Sequence, residues 1–134
     1  MDFKLVPGAD TIKAVIDTAT VIEAGDIVAA DGSKEIIKAV AGSTEIAYAV
    51  EASASGDTTI EITKGKVELI GTGDANFANS NKGTEVDLVV SSGTQLIDLG
   101  ASATDVFRVS YADNAGTVGS TDDIRVYINK PLEF

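Results

Sequence analysis

The chain has 134 residues, which suits one domain that buries roughly two-thirds of its unfolded surface. It contains no cysteine and no histidine, so disulfides, thiolate metal sites and the histidine-based hydrolase constellations are excluded. Acidic residues number 21 against 10 basic ones, and because a net charge of −11 repels phosphate backbones and anionic lipids, we expect no nucleic acid and no membrane as partners.

Residues 1–10 differ from the rest, because Pro7-Gly8 interrupts the chain after a short apolar prefix. We interpret this segment as an extended N-terminal arm that orders on a partner, with a simple edge strand as the alternative. The segment has no apolar signal core, so we expect synthesis in the cytoplasm.

Residues 11–134 are predicted to form a single β-rich domain, because short β-branched runs bounded by Gly, Asp, Asn and Ser recur about every ten residues. This pattern is typical of an all-β sandwich or small barrel with short hairpins. The predicted strands are 12–16, 21–22, 27–30, 35–40, 46–51, 58–63, 66–70, 84–90, 96–99, 106–111 and 124–129.

Two Gly-containing pairs separate successive runs and predict tight turns. These are Asp31-Gly32 and Lys64-Gly65, and glycine supplies the positive φ that hairpin turns require. The second pair predicts the clearer hairpin, because apolar and polar residues alternate on both sides of it.

Residues 20–70 and 80–132 resemble each other loosely in layout. In each stretch a Gly-led strand runs into a turn, at Asp31-Gly32 in one and Ser92-Gly93 in the other, and a further strand follows. This layout is consistent with two similar β subunits, and the general likeness of small β proteins is the alternative.

The most suggestive polar stretch is a loop from Asp74 to Glu85. With Asp74 as position 1 of a calcium loop, Asn76 takes position 3 and Glu85 takes position 12. Ala78 occupies the fifth position and Asn79 replaces the glycine at position 6, so a long polar loop is the better interpretation.

Three carboxylates, Asp113, Asp122 and Asp123, flank a Gly-rich loop, and paired carboxylates can perform acid–base work in glycosidases. Only seven aromatic residues are present in the chain to stack on sugar rings. We therefore interpret these carboxylates as a solvated acidic loop.

The aromatic residues divide by position. Tyr48, Phe107, Tyr111 and Tyr127 fall inside or at the ends of predicted strands, where core positions are expected. Phe3 and Phe134 lie near the two ends of the chain, which suggests anchors onto a partner.

The segment 21–32, with 36–39, 47–50 and 56–62, resembles the small capsid decoration proteins of tailed bacteriophages. These cement proteins sit on the head exterior, often as trimers, and the resemblance implies a β-tulip or small-barrel fold. Lipoyl- and biotinyl-type barrels have a similar sequence pattern around Ala24-Gly25-Asp26. They present their modified lysine in a hairpin motif that Thr63-Lys64-Gly65 does not match.

The sequence therefore predicts a non-enzymatic structural protein with no metal and no cofactor. The resemblance implies a homotrimer that binds the major capsid protein and stabilises the virion from its exterior. The candidate contact residues are Phe3, Leu5, Val6 and Phe134. A small carbohydrate- or calcium-binding β module of a larger assembly is the alternative function.

Overall fold

A computed structural model describes residues 3–18, 20–54 and 56–133. These residues form eleven strands and one short 3-10 turn, so the predicted all-β class is confirmed. The strands are β1 (Phe3–Leu5), β2 (Thr11–Val15), β3 (Ile27–Ala30), β4 (Ile36–Lys38), β5 (Ala47–Tyr48), β6 (Thr59–Thr63), β7 (Glu68–Gly71), β8 (Glu85–Ser91), β9 (Thr94–Asp98), β10 (Phe107–Val109) and β11 (Ile124–Ile128), and the turn is Asn79–Asn81.

The larger sheet has six antiparallel strands in the order β1-β7-β11-β10-β8-β9. It curls because the backbone that follows β7 returns to the far edge of the sheet. There the Ile97 amide donates to the Thr72 carbonyl at 2.9 Å, and the Asp74 amide donates to the Ile97 carbonyl at 2.9 Å. The result is a half-barrel whose last strand, β9, does not expose a fully open edge.

The remaining five strands form a second, smaller ring. The two-stranded sheet β2-β6 and the three-stranded sheet β4-β3-β5 are joined at both edges. A bridge between Ala49 and Ile62 joins them on one side, and a bridge between Ile16 and Ile36 joins them on the other. Together these contacts give the order β2-β6-β5-β3-β4 and back to β2. We call this unit the small barrel.

Strand β3 lies between two hydrophobic cores, which explains why its sequence is apolar at every position. Ile27 and Ala29 pack into the core of the half-barrel, whereas Val28 packs into the core of the small barrel. Because successive side chains of a strand point to opposite faces, one strand serves both cores.

A buried glutamine links the two units. The side chain of Gln95, on β9, accepts a hydrogen bond from the Ile27 amide at 2.8 Å and donates to the carbonyls of Ile27, at 2.8 Å, and Ala39, at 3.1 Å. Gln95 is fully buried, and its amide group imitates the backbone of a neighbouring strand. Polar groups of both units are thereby satisfied inside the protein.

Two predicted turns are confirmed as hairpins. Asp31-Gly32 lies in the connection between β3 and β4, and Ser92-Gly93 joins β8 to β9 with Ser91 opposite Thr94. Ser92 and Gly93 have φ of 50° and 80°, the paired positive values of a type I′ turn.

The hairpin predicted at Lys64-Gly65 is wrong. Strand β6 pairs with β2, and β7 pairs with β1 and β11. Ile62 belongs to the small-barrel core and Leu69 to the half-barrel core, so Lys64-Gly65 is a crossover between two units. Alternation alone could not reveal that the two strands face different cores.

The two stretches 20–70 and 80–132 contribute differently to the fold. The first stretch builds most of the small barrel and adds β7 to the larger sheet, whereas the second builds β8 to β11 of that sheet. Both stretches place residues in the half-barrel core, which joins Ile27 and Tyr48 with Phe107 and Val126. Each stretch also contains one confirmed hairpin, so their likeness is local.

Candidate contact surface

The predicted N-terminal contact residues lie mainly inside the fold. Phe3–Leu5 form the edge strand beside β7, and the Phe3 ring is 1% exposed and stacks on Phe107 with centroids 5.5 Å apart. This corrects the expectation of a free arm and of Phe3 as an exposed anchor, because the ring completes the protein's own core. Leu5 packs against the same core, Val6 is half-buried, and Phe134 lies outside the described residues.

One end of the small barrel carries an uncovered apolar side chain. Val21 is 78% exposed and lines a groove of about 450 Å³. The groove also includes Thr18, Ala54 and Thr58, and Val15, half-exposed, lies on the adjoining strand β2. Small apolar and polar residues therefore line the groove beside Val21, together with the acidic residues Asp17 and Asp57.

The outer surface of the larger sheet gathers both arginines of the chain and two of its three tyrosines. Arg108 lies opposite Tyr127 on the neighbouring strands β10 and β11, and Arg125 lies two residues before Tyr127. The Tyr111 ring follows β10, with the Arg108 guanidinium carbon 5.9 Å from its centroid. Tyr111 is 70% exposed and Tyr127 is 39% exposed, so the expectation that both rings fill the core is wrong.

Two glutamates balance the arginines of this surface. Arg108 pairs with Glu85 at 3.7 Å, and Arg125 pairs with Glu68 at 3.3 Å. Lys4 lies one strand further along, on β1. We call Arg108, Arg125, Tyr111 and Tyr127 the arginine–tyrosine face. Each of its arginines is paired with a glutamate, and the neighbouring Lys4 shares a groove with Asp122 and Asp123.

Strands β8 and β9 carry an acidic patch on the same sheet face as Arg108, because Asp87 lies two residues after Glu85 on β8. Asp98 lies opposite Asp87, and Asp74 approaches from the segment after β7. Burial raises the pKa of Asp98, and a hydrogen bond with Asp74 and the negative charge of Asp74 raise it further. The fold thus places two interacting carboxyl groups, Asp74 and Asp98, at this edge.

Local hydrogen bonds stabilise the charged carboxylate of Asp87, which is buried. Burial opposes its charge, but backbone amides of Asp105, Ala103 and Thr104 donate to its carboxylate at 2.8 to 2.9 Å and outweigh that effect, so the pKa of Asp87 is lowered. Asp87 therefore holds the loop before β10 in place.

The two acidic residues that end the loop, Asp74 and Glu85, contact different partners. Asp74 accepts a hydrogen bond from the Leu99 amide at 3.1 Å, and Glu85 pairs with Arg108. Phe77, in the middle of the loop, is buried in the half-barrel core. The loop is thus anchored by an apolar side chain that the likeness to calcium loops does not single out.

A different acidic group is brought together by the small barrel. Carboxylate oxygens of Asp17, Asp31 and Glu35 lie within 4.8 Å of one another. Asp31 accepts hydrogen bonds from the amides of Ser33, at 2.8 Å, and Glu35, at 3.0 Å. The pKa of Asp31 is lowered mainly by the hydrogen bond from the Glu35 backbone amide, and next by a hydrogen bond with the Asp17 side chain. These contacts give Asp31 a structural role in the β3–β4 turn.

The predicted solvated acidic loop has exposed carboxylates. Asp113, Asp122 and Asp123 are all exposed, and the Asp122 amide donates to the Ser120 hydroxyl.

The chain matches no described protein family, no curated protein and no solved structure. Among residues 3–18, 20–54 and 56–133, no helix has the length and apolar character that a membrane span requires.

Sequence reasoning does not find either of the two exposed surfaces. It places Val21 in a predicted strand and expects Tyr111 and Tyr127 in the core. The signal that could find Tyr127 is strand parity: Val126 and Ile128 point inward, so the residue between them must point outward.

Proposed function

We propose that this chain is a non-enzymatic structural protein that binds the exterior of a viral capsid and stabilises it. The observation that carries the proposal is the Val21 groove at the end of the small barrel. Val21 and Val15, 78% and 51% exposed, together present apolar surface bordered by Asp17 and Asp57, and an exposed apolar patch with a polar rim is a feature of protein contact surfaces.

Two further features support the proposal. The segments that resemble decoration proteins, 21–32, 36–39, 47–50 and 56–62, contribute to one continuous unit, the small barrel. The net charge of −11 suits an exterior position, because it keeps the protein away from packaged nucleic acid and keeps finished particles apart.

The stabilisation follows from mass action. A protein that binds only the assembled shell stabilises that shell by RT ln(1 + [L]/Kd), which is about 2.7 kcal/mol per site at roughly 100 Kd of free protein. A shell has many sites, so a modest affinity suffices. No chemical step is required.

The experiment measures binding of purified protein to heads of the encoding virus from which it has been stripped. We expect Val21→Asp to reduce co-sedimentation with the heads by at least about tenfold, because a buried unpaired charge at a contact costs several kcal/mol. Val118→Asp is the matched control, since Val118 is 60% exposed in a loop of the half-barrel. Failure of the unmodified protein to bind the heads would overturn the proposal, and equal losses in both variants would overturn the Val21 contact.

A further inference from the structure

We infer that the Val21 groove binds a segment of the capsid protein in which an apolar side chain lies next to an arginine or lysine. This inference rests on the proposed function and names the chemistry of the partner at the same site.

Two acidic residues of the groove lie opposite each other where β2 ends and β6 begins. The Ile16 amide donates to the Thr58 carbonyl at 3.1 Å, which continues the antiparallel β2–β6 register by one residue pair. The next pair in that register is Asp17 and Asp57, and both residues line the groove. Like charges at opposite positions of an antiparallel pair repel each other, so a positively charged group placed between them is stabilised by both.

Further negative charge lies beside Asp17. Carboxylate oxygens of Asp31 and Glu35 lie within 4.8 Å of an oxygen of Asp17, and all three residues are half-buried. Among the described residues that line the groove, none is a lysine or an arginine. Lys34, in the same turn as Asp31, is exposed and forms no ion pair with a described residue. Charge complementarity therefore favours a partner with a basic side chain.

The apolar part of the groove lies next to these carboxylates. Val15 precedes Asp17 by two residues, so the alternation of an extended chain places their side chains on the same face, and Val21 lines the groove itself. A purely basic segment would leave both valines in water, whereas a purely apolar segment would remove water from the carboxylates without replacing its hydrogen bonds. A segment that carries both kinds of side chain avoids both costs.

Hydrogen bonds hold parts of the groove in place before the partner binds. The Asp57 carboxylate accepts a hydrogen bond from the Ala54 amide at 2.7 Å, and the Asp57 amide donates to the Ala54 carbonyl at 3.0 Å. Beside Val21, the Ile22 amide donates to the Ser53 hydroxyl at 2.9 Å. These bonds fix Asp57 and the backbone next to Val21, which lowers the entropy cost of binding.

The test measures the affinity of full-length variants for stripped heads by co-sedimentation at roughly 0.05 M and roughly 0.5 M NaCl, because the higher salt screens charge contacts. Asp57→Asn is expected to weaken binding at the lower salt at least about threefold and to make the affinity less dependent on salt. Asp17→Asn is expected to do the same. Asp113→Asn is the matched control, since it makes the same change in net charge at an exposed carboxylate between β10 and β11, and it should change the affinity less than about 1.5-fold.

Val21→Thr tests the apolar half of the contact. Threonine has nearly the shape of valine, adds no charge and carries a hydroxyl in place of a methyl group. This variant is therefore expected to weaken binding by about the same factor at both salt concentrations. An unchanged affinity, or a loss that disappears at the higher salt, would overturn the apolar part of the contact.

Wild-type protein that binds the heads, with Asp57→Asn and Asp17→Asn no weaker than Asp113→Asn, overturns the inference while the proposed function stands. Wild-type protein that does not bind the heads overturns both. Loss of wild-type binding in excess EDTA assigns the carboxylates to a bound metal ion and overturns the contact with a basic side chain. Circular dichroism checks the fold of each variant, and Asp57→Asn decides the matter if Asp17→Asn does not fold, because Asp57 is exposed.

Discussion

Replacing Gln95 by leucine removes the polar link between the half-barrel and the small barrel. Leucine has nearly the same volume, so little of the effect comes from a cavity. The Ile27 amide loses its acceptor and the Ala39 carbonyl loses a donor, whereas the Ile27 carbonyl keeps the bond from the Ala39 amide.

Each buried backbone group left without a partner costs about 1 to 3 kcal/mol, so the substitution is expected to reduce the free energy of unfolding by about 3 kcal/mol. With a urea m-value of about 1.5 kcal/mol/M, the unfolding midpoint falls by roughly 2 M. Gln95→Glu is expected to destabilise as well, because its second oxygen would face two carbonyls instead of donating to them.

The assay is urea unfolding at neutral pH, together with hydrogen exchange at the Ile27 amide, which should exchange faster in Gln95→Leu. Thr94→Val, on the adjacent exposed position of β9, is the control and should change stability by less than about 0.5 kcal/mol. A loss below about 1 kcal/mol with unchanged exchange at Ile27 would refute the assignment of Gln95 as the link.

Three further outcomes are expected. Gly71→Ala should cost about 2 kcal/mol of stability in thermal unfolding, because its Cβ atom would overlap the Phe3 ring, whereas Gly100→Ala, with open space around it, should be nearly neutral; equal effects would contradict the packing of Phe3. Asp98→Asn should raise stability by about 0.5 kcal/mol at neutral pH. Because the folded pKa of Asp98 is raised, the wild type loses stability as pH rises from the ordinary value of 3.8 through the folded pKa, and the advantage of the Asp98→Asn variant should vanish at lower pH; an advantage that persists there would contradict the carboxyl pair. Excess EDTA should leave the melting temperature unchanged, and a drop of many degrees would indicate a bound cation.

Much of the strand pattern can be predicted from the sequence, because β-branched runs and Gly turns are local signals. The sequence predicts strand β3 with its observed bounds and locates the turn at Ser92-Gly93. It predicts strand β1 only as the alternative to a free N-terminal arm. The stability of β1 comes from the burial of Phe3 against Phe107, a contact between residues that lie far apart in the sequence.

The pairing of strands and the exposed surfaces depend on tertiary contacts. The run from Ile60 to Leu69 alternates on both sides of Lys64-Gly65, yet its two halves face different cores, and only the three-dimensional path reveals the crossover. The aromatic side chain of Tyr127 suggests a core position, whereas its place in the alternation of β11 suggests a surface position. The alternation prevails because Val126 and Ile128 already fill the inward positions.

The central claim is tested most directly by the heat survival of stripped heads as purified full-length protein is added back. If the chain stabilises the shell by binding, each tenfold increase in free protein above Kd adds about 1.4 kcal/mol per site, so the temperature of head rupture should keep rising with the logarithm of concentration. Heads that neither bind the protein nor rupture at a higher temperature at any concentration would contradict the account.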